Sequence, residues 1–225
     1  MPRTNRHHIP GQVWHITHRC HKKEFLLKFS RDRKRWTHWL FEAKKRYGLD
    51  ILNYTVTSNH IHLLVVDGNR EVIPKSLQLI AGKTAQEFNR RKALKGAFWE
   101  DRYHATAIET GEHFLRCLVY IDLNMVRNGV VQHPSAWQHV GYQEIQNPPL
   151  RDTLIHREKL IACCGLETDE QLRKRHRQWV EESIDNGSNV RQPQWTESIA
   201  VGSKGFVQGV LQKLEIGRAS CRERV

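Results

Sequence analysis

The chain has 225 residues, 39% of them hydrophobic and 27% charged, which is typical of a globular protein and excludes a fibrous or disordered one. It has no apolar run near the roughly 20 residues that span a bilayer, and no apolar signal-peptide core follows Met1. We therefore expect a soluble, cytoplasmic protein with no membrane partner. The five cysteines form no Cys-x-x-Cys spacing, which argues against a disulfide framework or a zinc ribbon.

Positive charge is concentrated near the start of the chain. The net charge is +12, and residues 1–47 contribute +10 of it, with 13 Lys or Arg against three acidic residues. A block of this kind is typical of a surface that faces a polyanion, which favours nucleic acid as a partner. The alternative is a solvated basic face that serves solubility.

The last residues look foreign to the chain. Residues 216–225 read IGRASCRERV, which reproduces the in-frame translation of a common short-read sequencing adapter. We expect residues 215–225 to be a sequencing artefact and the true reading frame to continue past about Leu214. An ordinary basic tail is the alternative.

Hydrophobic periodicity predicts alternating strands and helices. Alternation of apolar and polar residues predicts a strand over residues 13–19, and further strands are predicted over residues 51–57, 60–66 and 103–109. Apolar residues at helical spacing mark the predicted helices, which span residues 32–47, 74–92, 111–127, 151–163, 169–184 and 206–214.

The order of these elements predicts an α+β fold. The series β-α-β-β-α-β gives a ferredoxin-like antiparallel sheet with helices on one face, to which the helix over 111–127 is an addition. We expect residues 1–145 to form one domain and residues 146–214 to form a helical C-terminal extension.

Two histidines share one face of the third predicted strand. His60 and His62 are two residues apart, and alternate side chains of a strand point the same way. Two imidazoles at this spacing lie close enough to share a divalent metal. Two strand histidines with no metal are the alternative.

A tyrosine and an amide lie one turn apart on the helix over 111–127. Asn124, beside Tyr120, offers an amide oxygen suited to a hard cation. A tyrosine at such a position is commonly a residue at the boundary of the core. It can also attack a phosphodiester and become covalently joined to DNA, provided that a metal polarises the phosphate.

Four segments together resemble the REP-associated tyrosine transposases, which belong to the single-tyrosine HUH superfamily. The segments are residues 14–19 (WHITHR), 59–65 (NHIHLLV), 98–103 (FWEDRY) and 120–127 (YIDLNMVR), in family order. The resemblance implies that His60 and His62 bind the metal, with Asn124 as a third metal-proximal side chain. It implies Tyr120 as the nucleophile and Mg²⁺ or Mn²⁺ as the metal.

The resemblance also implies the substrate and assigns residues 1–145 as the catalytic domain. The family cleaves single-stranded DNA with short palindromic hairpins, leaving a 5′-phosphotyrosine and a free 3′-OH. Basic side chains would contact phosphates, and Phe98 and Trp99 would stack on unpaired bases, with core packing as the alternative for both. The expected DNA-binding residues are Arg3, Arg6, Arg33, Lys34, Trp99, Arg102 and Arg127.

Three other functions remain open at this point. A non-cutting hairpin-binding protein, such as a repressor derived from a transposase, would keep the fold without the chemistry. A rolling-circle replication initiator shares the histidine pair and the tyrosine, but we find no helicase or second replication domain. A metallohydrolase unrelated to DNA would leave the charge unexplained. The sequence does not predict the oligomeric state.

Overall fold

The computed structural model describes residues 8–187 and 190–222, with side chains up to Leu214. Within these residues one sheet has five strands, in the spatial order β2-β3-β1-β4-β5. The strands are β1 (Val13–Arg19), β2 (Asp50–Val56), β3 (His60–Val66), β4 (His104–Ile108) and β5 (Ala200–Val201). The helices are α1 (Ser30–Tyr47), α2 (Val72–Lys92), α3 (Glu112–Asp122), α4 (Asn124–Arg127), α5 (Gly141–Gln146), α6 (Arg157–Cys163), α7 (Asp169–Asp185), α8 (Gln194–Glu197) and α9 (Lys204–Arg222).

The sheet confirms the predicted ferredoxin-like core and adds a strand to it. Strand β1 pairs antiparallel with β3 and with β4, and β2 pairs antiparallel with β3. The four predicted strands pair antiparallel as expected; β5, which was not predicted, pairs parallel to β4, so the sheet as a whole is mixed. With only two residues, β5 is too short to show the alternation that predicts a strand.

The two faces of the sheet carry different helices. On β3, Ile61 and Leu63 belong to the core under α1 and α2, whereas Leu64 belongs to the core under α3. His60 and His62 share the parity of Leu64 and therefore lie on the α3 face. The predicted helices on one face are α1 and α2, and α3 covers the opposite face.

Several helix boundaries differ from the predicted ones. Helix α1 begins at Ser30 rather than at residue 32, α2 at Val72 rather than at residue 74, and α6 at Arg157 rather than at residue 151. Gly48, in the left-handed conformation, ends α1. The helix predicted over 111–127 is interrupted at Leu123, which separates α3 from α4.

Residues of the C-terminal extension pack into the core of the sheet. Leu160, Leu172 and Trp195 belong to the same buried cluster as Phe114 of α3. The predicted boundary after residue 145 stays a prediction, as does the adapter origin of residues 215–225, whose side chains lie outside the described part. Among the described helices, none is long and apolar enough to cross a membrane.

Candidate active site

The predicted metal pair and the predicted nucleophile lie together on the α3 face. The ring centroids of His60 and His62 are 4.9 Å apart, and those of His62 and Tyr120 are 5.9 Å apart. All three side chains line one cavity of about 530 Å³, as does Asn124. The structure therefore brings together the four residues that the sequence analysis assigned to the chemistry.

Hydrogen bonds orient His60. Its Nδ1 lies 2.7 Å from Oδ1 of Asn59, an oxygen that only accepts, so Nδ1 carries the hydrogen and Nε2 keeps a lone pair. Burial lowers the pKa of His60 to about 4, helped by the charges of Arg19 and Arg127. The imidazole is therefore neutral near pH 7, as a metal ligand must be.

Hydrogen bonds engage His62 on both sides of its ring. Its Nδ1 lies 2.9 Å from Nε2 of His15, and its Nε2 lies 2.9 Å from Nδ2 of Asn124. Burial, with the neighbouring His60 and His15, lowers the pKa of His62 well below its usual value. His62 is therefore also neutral, and its Nε2 accepts from the Asn124 amide.

The side chains of His60, His62 and Asn124 could together hold a divalent cation. Two neutral imidazoles can ligate a divalent transition-metal ion, and the Asn124 amide adds an oxygen donor of the kind that Mg²⁺ and Mn²⁺ prefer. Oδ1 of Asn124 accepts a hydrogen bond from Asn128 over 3.2 Å. Across the residues that the structure describes, no group of three or more His, Cys, Asp or Glu could hold a metal ion, so the candidate site consists of two histidines and an amide.

Tyr120 is buried beside a cation. Only 7% of its surface is exposed, and burial raises the pKa of its phenol, whereas the charge of Arg127 acts to lower it. The Arg127 guanidinium carbon lies 3.8 Å from the Tyr120 ring centroid. Among the described residues, Nη2 of Arg127 has no hydrogen-bond partner. This nitrogen is buried beside the phenol, which hydrogen-bonds the same guanidinium group.

A second cavity reaches the same tyrosine from the other side. It measures about 680 Å³ and lies between α3, α7 and α8. Tyr120 and Arg127 line both cavities. The phenol is therefore approached from two directions.

The predicted DNA-binding residues separate into distinct environments. Arg102 is exposed and lines the first cavity with Arg127, and Lys34 is exposed on α1. Arg33 is buried, and its Nη1 donates to the carbonyl oxygens of Leu27 (2.8 Å) and Lys28 (2.6 Å). Because those bonds occupy its guanidinium, we leave Arg33 out of the DNA surface. Arg3 and Arg6 lie outside the described residues.

Trp99 is half-buried and already has a stacking partner. Its ring stacks on His18 with centroids 4.1 Å apart, and its Nε1 donates to the carbonyl of Ala81 over 3.1 Å. Phe98 is buried in the core under α1 and α2. The core alternative therefore describes Phe98, and a role for Trp99 in base stacking stays a prediction.

The sequence analysis missed residues that come from other parts of the chain. His15 reaches His62 from β1, and its strand was predicted, but strand periodicity does not show which strands pair. Arg191 and Glu197, 2.9 Å apart in an ion pair, line the first cavity. We find no local pattern around either residue that indicates this position.

Comparison with known proteins agrees with this geometry. The family model described as "Transposase IS200 like" matches residues 10–124, about half of the chain. No curated protein matches. The family model confirms that the chain is an IS200-like transposase, in line with the resemblance that the sequence predicts.

Two solved structures are similar to the chain. One is a REP-associated tyrosine transposase bound to a REP hairpin, 21% identical, with a TM-score of 0.54 over 67% of this chain and 88% of that one. The other is a candidate transposase from Deinococcus radiodurans R1, 17% identical, with a TM-score of 0.37 over 50% of this chain and 88% of that one. The first shows that the two proteins share a fold.

Proposed function

The chain belongs to the family of IS200-like transposases, which are DNA-processing enzymes, and we propose that it cleaves and rejoins single-stranded, hairpin-bearing DNA through Tyr120. One observation carries the proposal: the Tyr120 phenol shares a cavity with His60, His62 and Asn124. The solved relative that was bound to a REP hairpin supports a hairpin as the partner.

The proposed reaction conserves the energy of the broken bond. The Tyr120 oxygen, having lost its proton to solvent, attacks the scissile phosphorus, and the bond from phosphorus to the 3′ oxygen breaks. The departing oxygen takes up a proton and becomes a free 3′-OH, while the 5′ end stays on Tyr120 as a phosphotyrosine. A 3′-OH then attacks this ester, rejoins the strand and releases the phenol.

His60 and His62 would hold Mg²⁺ or Mn²⁺ through Nε2, with the Asn124 amide beside them. When bound, the ion polarises the scissile phosphate. Arg127 donates to the same phosphate and favours the phenolate form of Tyr120. This donation matters most as negative charge builds up on the phosphoryl oxygens in the transition state.

The proposed DNA-contacting residues lie at the cavity and beyond it. Arg102 and Arg127 line the cavity, whereas Lys34 is exposed on α1, which packs on the other face of the sheet. We propose phosphate contacts for these three residues and for Arg3 and Arg6, together with base stacking at the exposed part of Trp99. A cytoplasmic location, where chromosomal DNA is accessible in a bacterium, belongs to the same proposal.

The test is a covalent adduct. The full chain is incubated with Mn²⁺ and single-stranded hairpin DNA from around its own gene, then denatured in detergent. We expect an adduct with the wild-type protein and none with Tyr120→Phe, which keeps its hairpin affinity. Tyr54→Phe is the matched control, because Tyr54 is equally buried, at 7% exposed, in the core on the opposite face.

Each other outcome identifies a different error. An adduct that survives in Tyr120→Phe would place the nucleophile elsewhere. Tight hairpin binding with no adduct in the wild type would favour the alternative, a non-cutting hairpin-binding protein or repressor derived from a transposase.

A further inference from the structure

A directed chain of hydrogen bonds runs from the C-terminal extension to the candidate metal site. The Trp195 carbonyl oxygen lies 2.8 Å from Nδ1 of His15. Nε2 of His15 lies 2.9 Å from Nδ1 of His62, and Nε2 of His62 lies 2.9 Å from Nδ2 of Asn124. Both histidines are buried, with 0% of His15 and 1% of His62 exposed.

The Trp195 carbonyl fixes the donor-to-acceptor direction of this series of hydrogen bonds. A carbonyl oxygen only accepts, so Nδ1 of His15 donates to Trp195. In a buried neutral imidazole the other nitrogen then accepts, so Nδ1 of His62 must donate to it. The planes of the two rings are 11° from parallel, with centroids 5.0 Å apart.

We propose that His15 is a positioning residue that holds His62 in its Nδ1–H tautomer and so presents the Nε2 lone pair to the metal. The metal part of this inference rests on the proposed function. Ligating histidines are generally oriented through their second nitrogen, and loss of that partner typically weakens metal affinity 10–100-fold.

The opposite end of the hydrogen-bond series agrees with this direction. Oδ1 of Asn124 accepts from Asn128 over 3.2 Å, which leaves Nδ2 of Asn124 facing Nε2 of His62 as a donor. The Trp195 carbonyl can only accept, so the C-terminal extension supplies the acceptor at the other end.

The first measurement reads the tautomer directly and needs no metal. Long-range ¹H–¹⁵N NMR of the metal-free full chain distinguishes the two imidazole nitrogens of each histidine. We expect Nδ1–H in both His15 and His62. A wild-type His62 protonated at Nε2 would overturn the proposal, whether or not the protein cuts DNA.

The second measurement compares Mn²⁺ affinity among variants. His15→Leu removes the acceptor, and we expect about 10–100-fold weaker Mn²⁺ binding and loss of the single tautomer of His62. In His15→Gln the side-chain oxygen can accept from Nδ1 of His62, and we expect it to restore most of the affinity. Thr106→Val is the matched control, because the buried Thr106 hydroxyl lies 3.2 Å from the same Trp195 carbonyl but does not touch His62.

The outcomes separate this inference from the proposed function. Equal Mn²⁺ affinity in folded His15→Leu and wild type would overturn the positioning role. If His15→Leu does not fold, the proposal is tested by the tautomer of His62 in the wild type and by the Mn²⁺ affinity of His15→Gln. A wild type that binds no Mn²⁺ would count against the proposed metal chemistry, whereas the tautomer would still show whether His15 orients His62.

Discussion

Arg127 covers the ring of Tyr120, with its guanidinium carbon 3.8 Å from the ring centroid. Tyr120 lies on α3, and Arg127 is the last residue of α4, the short helix that follows the break at Leu123. Burial raises the pKa of the phenol, and the charge of Arg127 opposes that shift because it favours the phenolate. Since the proposed attack requires the deprotonated oxygen, we expect Arg127 to increase the fraction of Tyr120 that can react.

Replacing Arg127 with Gln should move the pH dependence of cleavage. Without the positive charge the Tyr120 pKa rises further, so the rising limb of the rate against pH shifts to higher pH. At neutral pH we expect adduct formation to fall by about tenfold for each pH unit of that shift. The measurement is the initial rate of adduct formation from pH 6 to 10, taken as roughly the range around the phenol pKa. Arg116→Gln on the exposed side of α3 is the control, and an unmoved profile in Arg127→Gln would contradict this role.

Arg33 and Lys34 are neighbours with opposite expected effects. Arg33→Gln removes bonds to two buried carbonyls, so we expect it to lower the free energy of unfolding by about 1–3 kcal/mol. Lys34→Gln should leave stability unchanged, weaken hairpin binding and reduce the slope of log K against log salt by about one. Urea unfolding and hairpin titrations at several salt concentrations test both. A reduced salt slope in Arg33→Gln alone would reverse this assignment.

Strand periodicity predicted most of the fold because the central strands are long enough to show it. Strands β1 and β3 have the predicted bounds, and the parity of β3 places His60 and His62 on one face as expected. The two residues of β5 show no periodicity, and their pairing depends on where β4 already lies. The break at Leu123 involves neither Gly nor Pro, so no local signal marked it.

The partners of each site residue were harder to predict than the residues themselves. Tyr120 and His62 belong to recognisable motifs, but the carbonyl that orients His15 comes from Trp195, 180 positions away. Arg33 belongs to a basic run that is typical of a surface, yet the loop before α1 buries it. Such contacts depend on tertiary packing, which a single sequence does not display.

Two glycines should respond in opposite ways to alanine. A Cβ at Gly141 would lie 2.1 Å from Oδ1 of Asn53, whose amide is held by Asp122, so Gly141→Ala should cost about 1–3 kcal/mol of stability. A Cβ at Gly82, exposed within α2, would meet no atom within 4 Å. Gly82→Ala should therefore stabilise the protein by about 0.5–1 kcal/mol. Urea unfolding measures both, and a Gly141→Ala protein as stable as the wild type would mean that Asn53 moves freely.

A buried pair joins the C-terminal extension to the helix of the nucleophile. Nε2 of His176 on α7 donates to Asp122 at the end of α3 over 2.7 Å, and both side chains are 0% exposed. His176→Leu would leave a buried carboxylate without this donor, so we expect a loss of about 3–5 kcal/mol in the free energy of unfolding. The double variant Asp122→Leu/His176→Leu should lose less than His176→Leu alone, because it removes the unpaired charge as well. Asn53 keeps a partner in that variant, since its amide also donates to the Leu118 carbonyl over 3.2 Å. The loss in the single variant Asp122→Leu is measured as well. If the losses in Asp122→Leu and His176→Leu add up to the loss in the double variant, the pair contributes no coupling, and the extension is held by its apolar contacts.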